Sequence, residues 1–256
     1  MAVVNASAGA LIRQWRQRRH LSQLELANRA EVSTRHLSYL ENGRSRPTSA
    51  MIMRLCDHLD IPLREQNELL LAAGHAPAHP EHSLADRPMA EVNAALEAIL
   101  QAHGPYPALA VDRHWELVTA NEAAFSLMDG IDEDLLEPPV NVIRLSVHPR
   151  GLAPRIVNLP EWRAMLAERL RREYDATGDA ALGELLAEVA AGVDRPPASA
   201  ALVVPLQLRV GEDTVLSFIS TTTVFGTPRE VTLSELAIEA FYPADEATRK
   251  ILNGYG

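Results

Sequence analysis

Cysteine and long apolar runs are almost absent from this 256-residue sequence. Cys56 is the single cysteine, so neither a disulfide framework nor a thiol pair for redox sensing is available. No apolar run approaches the roughly 18 residues that a membrane helix needs, and no signal-peptide pattern is present. We therefore expect a cytoplasmic protein with no membrane partner, in which Cys56 is a small buried side chain one helical turn after Ile52.

Recognisable catalytic motifs are lacking as well. The sequence contains no glycine-rich phosphate loop, no G-x-S-x-G nucleophile turn, no H-E-x-x-H zinc motif and no C-x-x-C pair. His148, in the sequence HPRG, has the most distinctive setting of the histidines, and a turn at a helix end explains it. We expect no enzyme and no catalytic residue, and an enzyme with a DNA-binding head is the least favoured alternative.

Charge is divided unevenly along the chain. Residues 1–74 contain ten arginines and seven acids, a net charge of +3, whereas residues 75–256 contain 14 basic and 27 acidic residues, a net charge of −13. The composition, 47% apolar and 23% charged, is that of a globular protein, and the length suits two domains. A modestly basic head on an acidic body is typical of a protein that binds nucleic acid through one end.

The pattern of residues 21–47 predicts two short helices joined by a tight turn. Ser22 and Glu25 have the spacing of a capping box, so the first helix should begin near Ser22. A stripe of apolar and small side chains marks its predicted inner face: Leu24, Ala27 and Ala30. Small Ala27 allows a second helix to approach closely, which is typical of a helix-turn-helix.

The second of these helices should begin after Ser33, with Leu37 and Leu40 facing inward. Its outer face then keeps donors, acceptors and one cation suited to reading base edges in a DNA major groove: Thr34, Arg35, Ser38 and Tyr39. A small helical bundle with a solvated cationic face, in a protein-interaction adaptor, is the alternative interpretation of the same pattern.

The motifs L-S-Q-x-E-L-A at 21–27 and L-E-N-G-R at 40–44 resemble the XRE-type DNA-binding domain of the lambda-repressor class, over residues 9–73. The resemblance implies an all-α, five-helix, lambda-repressor-like unit that binds double-stranded DNA. Its helices would occupy 8–19, 22–30, 33–41, 48–59 and 63–73.

The resemblance also assigns roles to individual residues. Base reading would fall to Thr34, Arg35 and Ser38, and phosphate contacts to Arg13, Gln23, Arg44 and Arg46. Arg16 and Glu41 match a structural pair that bridges the first helix to the end of the recognition helix. Glu31 departs from the family pattern, which usually has glycine there; if the position needs a positive φ, glutamate costs about 1 kcal/mol.

Residues 75–87 break the periodicity with prolines and separate the two charge regimes. We therefore expect a DNA-binding domain at 1–74, a linker at 75–87 and a second domain at 88–256. One cluster in the linker can be interpreted as a metal site: His75, His79, Glu81 and His82. Because the prolines hold the segment extended, we favour a solvated linker and no metal.

The second domain begins with two predicted strands, at 108–112 and 115–120, and ends with three, at 202–210, 214–225 and 233–242. Helical patterns occupy 89–102, 121–128, 141–147, 160–174, 179–191 and 245–252. This order predicts an α+β domain in which one antiparallel sheet is covered on one side by helices, compatible with a PAS-like fold.

The segments PALAVDRHWELVTANEAA at 107–124 and NVIRLSVHPRGLAPRIVNLPEWR at 141–163 resemble the MmyB-like ligand-binding domain of XRE-type regulators. The similarity spans about 89–252, and its last third matches a subgroup. It implies a PAS-type sensor with an apolar cavity for a small, fatty-acid-like ligand, and no other cofactor.

Large apolar side chains fall on elements that should face one another in this domain, and such a set can line a ligand cavity. The candidates are Trp115, Phe125, Met128, Trp162, Met165, Phe218 and Phe241. Three further residues could anchor an acidic ligand: Arg144, His148 and Arg155. For each apolar residue alone, the same spacing is more typical of a packed core.

One helix-turn-helix covers only a few base pairs, so specificity requires two. We expect a one-component transcription regulator that binds a near-palindromic operator as a homodimer, with recognition helices roughly 34 Å apart. The second domain is the expected place of the dimer interface.

Overall fold

The computed structural model describes residues 6–191 and 202–254. Two compact units are present: one is built from 6–81, 175–177 and 228–231, and a larger one from 82–174, 178–227 and 232–254. Among the described residues, no helix has the length and apolar character that crossing a bilayer requires.

The described part of the first unit contains the five predicted helices, with ends within two residues of the prediction. They are α1 (Ala8–Arg18), α2 (Gln23–Arg29), α3 (Thr34–Glu41), α4 (Ser49–Leu59) and α5 (Leu63–Ala72). Hydroxyl side chains cap the first four helices by accepting a backbone N–H of the first turn: Ser7, Ser22, Ser33 and Thr48. The predicted capping box is complete, because Ser22 N–H also donates to the Glu25 carboxylate.

The core of the first unit corrects one detail of the prediction for α2. Ala27 and Ala30 are buried, but Leu24 is 58% exposed and Leu26 is fully buried instead. Residues two positions apart in a helix, such as Leu24 and Leu26, are separated by about 200° around its axis. A buried face centred on Leu26 and Ala27 therefore leaves Leu24 exposed. The inner side chains of α3 are buried as predicted, at Leu37 and Leu40.

Glu31, in the turn between α2 and α3, has a left-handed backbone with φ of 53°. The turn closes by a hydrogen bond of 2.9 Å from the N–H of Val32 to the carbonyl of Ala27. The position therefore has the conformation that favours glycine, and glutamate adopts it at a steric cost.

The segment 75–81, which we call the strap, is held by the side chain of Asn67 on α5. The amide Oδ1 accepts hydrogen bonds from the N–H groups of Ala78 (2.9 Å) and His79 (3.0 Å), and Nδ2 donates to the His79 carbonyl (2.8 Å). Asn67 is itself buried. The prediction of a solvated linker is therefore wrong for the strap backbone, since a buried amide replaces water as its partner.

Further contacts fix the strap side chains. His79 Nε2 lies 2.8 Å from Oε1 of Gln66, and Glu81 forms an ion pair with Arg64. His75 Nε2 lies 2.9 Å from the carbonyl oxygen of Pro47, in the loop before α4. Across the part of the chain that the structure describes, no group of three or more His, Cys, Asp or Glu side chains is placed to hold a metal ion.

The second unit combines helices with a sheet. Its helices are α6 (Ala90–Ala102), α7 (Glu122–Leu127), α8 (Val142–Val147), α9 (Leu159–Thr177), α10 (Ala180–Ala190), α11 (Val231–Ser234) and α12 (Glu246–Asn253). Its strands are β1 (Ala108–Val111), β2 (Leu117–Ala120), β3 (Leu206–Arg209), β4 (Val215–Val224) and β5 (Ala237–Pro243).

These strands form one antiparallel sheet in the order β2-β1-β5-β4-β3, which confirms the predicted α+β, PAS-like arrangement. Side chains alternate between its faces. Leu109 and Val111 of β1 join a core cluster that includes residues of α9 and α10, whereas Ala108 and Ala110 pack with α6. Helices therefore pack against both faces of the sheet, and the prediction that they cover one side is wrong.

Three predicted strands begin too early. β3 starts at Leu206, directly after Pro205, which has no N–H for a strand ladder. β5 starts at Ala237, because the preceding residues form the short helix α11. β2 starts at Leu117, because Trp115 has φ of 66° and belongs to the turn before the strand.

Candidate functional site

Helix α3 is fixed to α1 by a buried ion pair between the two residues that the resemblance pairs. Arg16 Nε lies 2.6 Å from Glu41 Oε1, and Arg16 Nη2 lies 2.9 Å from Glu41 Oε2. The hydrogen bond to the carboxylate raises the pKa of the Arg16 guanidinium. A third bond, from Nη1 to the carbonyl of Leu21, ties the start of the helix-turn-helix to the same arginine.

The outer face of α3 presents the four predicted base-reading side chains. Arg35 is exposed, and the other three are partly exposed: Thr34, Ser38 and Tyr39. Arg35 Nε donates to the Tyr39 hydroxyl over 3.0 Å, and the guanidinium carbon lies 5.3 Å from the tyrosine ring centroid. All four side chains lie within two turns of one helix, next to the capped N-terminus at Ser33.

The side chains predicted to contact phosphate fall into two groups. Arg13, Arg44 and Arg46 are exposed and have no carboxylate partner among the described residues. Arg44 follows α3 directly, and its N–H donates to the Tyr39 carbonyl over 2.8 Å. Gln23 instead donates from Nε2 to Glu41 Oε2 over 2.8 Å, so its amide supports the buried ion pair.

Asn42 is a polar residue of this surface that sequence reasoning missed. Its Nδ2 donates to the Ser38 carbonyl over 2.8 Å and lies 3.4 Å from the Ser38 hydroxyl oxygen. Asn42 thus supplies a donor to the C-terminal end of α3 and contacts a predicted base-reading side chain. The sequence signal was the Asn-Gly pair at 42–43, which is typical of a helix end.

The predicted ligand-pocket residues of the second unit do not line one common cavity. Trp115, Trp162 and Phe218 are buried in the core cluster, and Met165 and Phe241 pack against it. Met128 belongs to a separate cluster, and Phe125 is 49% exposed. Most of this set therefore packs as core, which the spacing alone could not distinguish from a pocket.

The predicted polar anchors are already paired within the protein. Arg144 forms an ion pair with Glu188 at 2.9 Å, which raises its pKa. His148 Nδ1 accepts the N–H of Arg150 over 3.1 Å, so it closes a turn. Arg155 donates to the carbonyls of Leu127 and Arg209, and its burial lowers its pKa. The structure thus gives these three side chains structural contacts.

A cavity of about 560 Å³ lies between α9 and β4. Its lining joins apolar residues to polar ones: Met165, Leu202, Val203 and Val204 with Arg169, Arg172, Glu173, Ser220 and Thr222. Arg172 has no carboxylate partner among the described residues, so a guanidinium is available at this cavity. Met165 is the member of the predicted pocket set that lines it.

Arg169 forms the polar wall of this cavity. Its Nη2 lies 2.6 Å from Oε1 of Glu239, a buried carboxylate on β5, and its Nε lies 3.3 Å from Glu173 Oε1. Its guanidinium carbon also lies 4.2 Å from the centroid of the Trp115 ring. Arg169 is therefore occupied by internal partners, unlike Arg172.

A second cavity in this unit has a volume of about 530 Å³. It is lined by ten residues: Gln101, Gly104, Pro105, Pro107, Asn121, Glu122, Ala123, Ser126, Leu127 and Leu252. Its lining contains one acidic side chain and no basic one, so it lacks a counter-ion for an acidic ligand.

A family model described as the MmyB-like transcription regulator ligand binding domain matches residues 92–253. The chain belongs to this family. A helix-turn-helix model matches residues 12–66, ahead of the MmyB-like domain. The chain is therefore a transcription regulator in which a helix-turn-helix precedes a ligand-binding domain, as the two resemblances imply.

Relatives from mycobacteria match nearly the whole chain. Uncharacterized HTH-type transcriptional regulators of Mycobacterium bovis and Mycobacterium tuberculosis are 28% identical over 260 residues, which cover 94% of this chain and 97% of theirs. The crystal structure of the clp gene regulator ClgR from Corynebacterium glutamicum is 24% identical and covers 41% of this chain and 97% of that one, with a TM-score of 0.24.

Proposed function

We propose that this MmyB-like regulator reads its operator with Thr34, Arg35 and Ser38 of α3 placed in the major groove. The observation that supports this assignment is the division of α3 into two faces. Leu37, Leu40 and the Glu41 ion pair fix the inner face, whereas the outer face carries side chains with free hydrogen-bonding capacity. Base readout requires a helix that is held in a fixed orientation and has polar side chains on its outer face. A mobile helix would not keep these side chains aligned with the base pairs.

The backbone of DNA would be held by Arg44 and Arg46, which follow α3, and by Arg13 on α1. These exposed guanidiniums are not neutralised by carboxylates among the described residues. Because each such contact releases a counterion from DNA, affinity should fall steeply with salt. A protein-interaction adaptor with the same fold would show no salt-sensitive affinity for DNA.

In vitro selection from random duplexes with the full chain tests the DNA-binding proposal. A homodimer should recover inverted repeats whose half-sites are about 10 base pairs apart. Arg35→Ala should then weaken binding to the selected operator by about 10-fold or more, since a good bidentate contact discriminates by roughly 1–3 kcal/mol. Arg54→Ala, on the exposed face of α4, removes the same charge and should leave specificity intact. Equal affinity of the unaltered chain for operator and scrambled DNA would refute the proposal.

For the second unit, we propose a small amphiphilic ligand with an acidic group, of the fatty-acid type, in the cavity between α9 and β4. The apolar residues Met165, Leu202 and Val203 suit a hydrocarbon chain. The guanidinium of Arg172, which has no carboxylate partner among the described residues, suits a carboxylate. The other cavity lacks a basic side chain, which is why we favour this one.

Dodecanoate and dodecanol are matched probes for this cavity, because they differ in the charged group alone. Calorimetry with the full chain should show tighter binding of the acid, and Arg172→Gln should remove that difference without weakening the alcohol. Arg171→Gln, the neighbouring exposed arginine on α9, is the control. Equal binding of both probes by the unaltered chain would refute the acidic class, and retained discrimination in Arg172→Gln would refute the anchor.

Ligand and DNA would be coupled through different affinities of the ligand for two arrangements of the dimer. Such coupling typically amounts to about 1–3 kcal/mol, or roughly 5- to 150-fold in DNA affinity. The same binding assay with and without dodecanoate measures it.

A further inference from the structure

We propose that Tyr39 is a positioning residue that holds the guanidinium of Arg35 in the orientation needed to bind a guanine. This inference rests on the proposed function, because it concerns the side chain that would read the base. It gives Tyr39 a role different from the direct base contact that the sequence pattern suggests.

The geometry of the pair supports this role. Arg35 Nε donates a hydrogen bond of 3.0 Å to the Tyr39 hydroxyl oxygen, and the guanidinium carbon lies 5.3 Å from the ring centroid. Residues four apart lie on the same side of a helix, so a tyrosine one turn after the arginine can reach it without backbone distortion. The contact therefore follows directly from the spacing of 35 and 39 on α3.

Tyr39 is less exposed than Arg35. It is partly buried, whereas Arg35 is exposed, and it lies in the last turn of α3. Its own carbonyl accepts the N–H of Arg44 over 2.8 Å, which fixes the backbone at the end of α3. A long, exposed arginine side chain thus contacts a partly buried aromatic one.

The hydrogen bond to Tyr39 engages Arg35 Nε and not its two terminal nitrogens. With Nε occupied by Tyr39, the two terminal nitrogens Nη1 and Nη2 still present N–H groups in one plane. Guanine offers O6 and N7 as adjacent acceptors in the major groove, and arginine commonly binds both at once. A guanidinium oriented before binding loses less side-chain freedom when it forms these two bonds.

Tyr39→Phe tests the inference because it removes only the hydroxyl oxygen. We expect operator affinity to fall about 3- to 10-fold, the usual effect of one hydrogen bond. We also expect preference to relax at the base pair whose readout Arg35→Ala abolishes, as measured on operators with each base pair replaced in turn. Affinity for scrambled DNA and the salt dependence should not change. Tyr106→Phe, in the second unit, is the matched control.

The double variant separates positioning from direct reading. If Tyr39 acts through Arg35, adding Tyr39→Phe to Arg35→Ala should change operator affinity less than 2-fold. A full further loss in the double variant would show that Tyr39 contacts DNA itself and would overturn the inference. Unchanged operator binding by Tyr39→Phe, with a clear loss in Arg35→Ala, would overturn it and leave the proposed function intact. No loss in Arg35→Ala would refute the proposed base readout and this inference with it.

Discussion

The Glu41 carboxylate at the end of α3 lies 2.6 Å and 2.9 Å from two nitrogens of the Arg16 guanidinium on α1. Both side chains are buried, with 10% of the Arg16 side chain and 1% of the Glu41 side chain exposed, and Gln23 donates to the same carboxylate. Three helices of the first unit thus meet at one carboxylate. The orientation of α3, and with it the direction in which its outer face points, depends on this contact.

Glu41→Ala should destabilise the first unit by about 3 kcal/mol, because it leaves the Arg16 guanidinium buried without its counter-ion. Hydrogen exchange of α1 and α3 amides in the full chain measures this, since it reports on the first unit separately. Arg13→Ala, which removes an exposed arginine on α1, should change the free energy obtained from these exchange rates by less than about 0.5 kcal/mol. Equal protection in Glu41→Ala and the unaltered chain would contradict the prediction.

Glu31→Gly should stabilise the first unit by about 0.5 to 1 kcal/mol, because glycine adopts a φ of 53° without the steric cost of a Cβ atom. Glu31→Ala is the matched control: it removes the carboxylate but keeps the Cβ, so it should bring no gain. Thermal unfolding of the three proteins at neutral pH compares them. A similar gain in both variants would assign the effect to charge instead.

Cys56 should react slowly with thiol reagents in the folded protein. Burial raises the pKa of its thiol to about 12, so the reactive thiolate is scarce at pH 8. Because the folded pKa is raised, burial of the neutral thiol stabilises the fold fully below the unfolded pKa of about 9. This stabilisation is lost as the pH rises from about 9 toward 12. Labelling with DTNB in buffer and in guanidinium should differ by orders of magnitude; comparable rates would show that the thiol is accessible.

Asn67→Ala should release the strap from α5, because the backbone of Ala78 and His79 loses three hydrogen bonds. Amide exchange at these two residues should accelerate by at least 10-fold, and proteases should cut within 75–81. Glu68→Ala, which alters the exposed neighbour on α5, is the control. Unchanged exchange at residues 78 and 79 would mean that other contacts hold the strap.

Arg44→Ala should weaken binding to every duplex alike and reduce the slope of log affinity against log salt concentration by about one. This result would identify a phosphate contact, in contrast to the sequence-dependent loss expected for Arg35→Ala. Titrations at several salt concentrations with operator and scrambled DNA distinguish the two. A loss confined to the operator would instead indicate base readout by Arg44.

The sequence predicted best what short-range spacing determines. Helix caps such as Ser22 and Ser33 act on residues three positions away, so the first five helices could be located from local pattern. The α+β order of the second unit was also readable from its strand and helix periods. By contrast, the exposure of Leu24 depends on how α2 is rotated against its neighbours, which local pattern does not fix.

The cavity between α9 and β4 illustrates what the sequence could not supply. Trp115, Trp162 and Phe218 have the spacing of a buried face, and core and pocket share that spacing. Arg169 and Glu239 are 70 residues apart, so nothing local marks the network that walls the cavity. The sequence did not indicate Arg172, because it has the pattern of any exposed arginine on a long helix. Its place at the cavity depends on the packing of α9 beside β4, which is distant in sequence.

The strap has a practical consequence for rebuilding this regulator with a different sensor. Asn67 binds main-chain atoms of 78 and 79, so its contacts place no demand on the side chains there, and proline alone removes the donor. Replacing His79 would still remove the contact of its ring with Gln66. The side chain of Asn67 cannot be replaced in this way, because its amide makes all three of these hydrogen bonds. A fusion joined at Gly74 would discard a segment that belongs to the DNA-binding unit, whereas a junction after Glu81 preserves it.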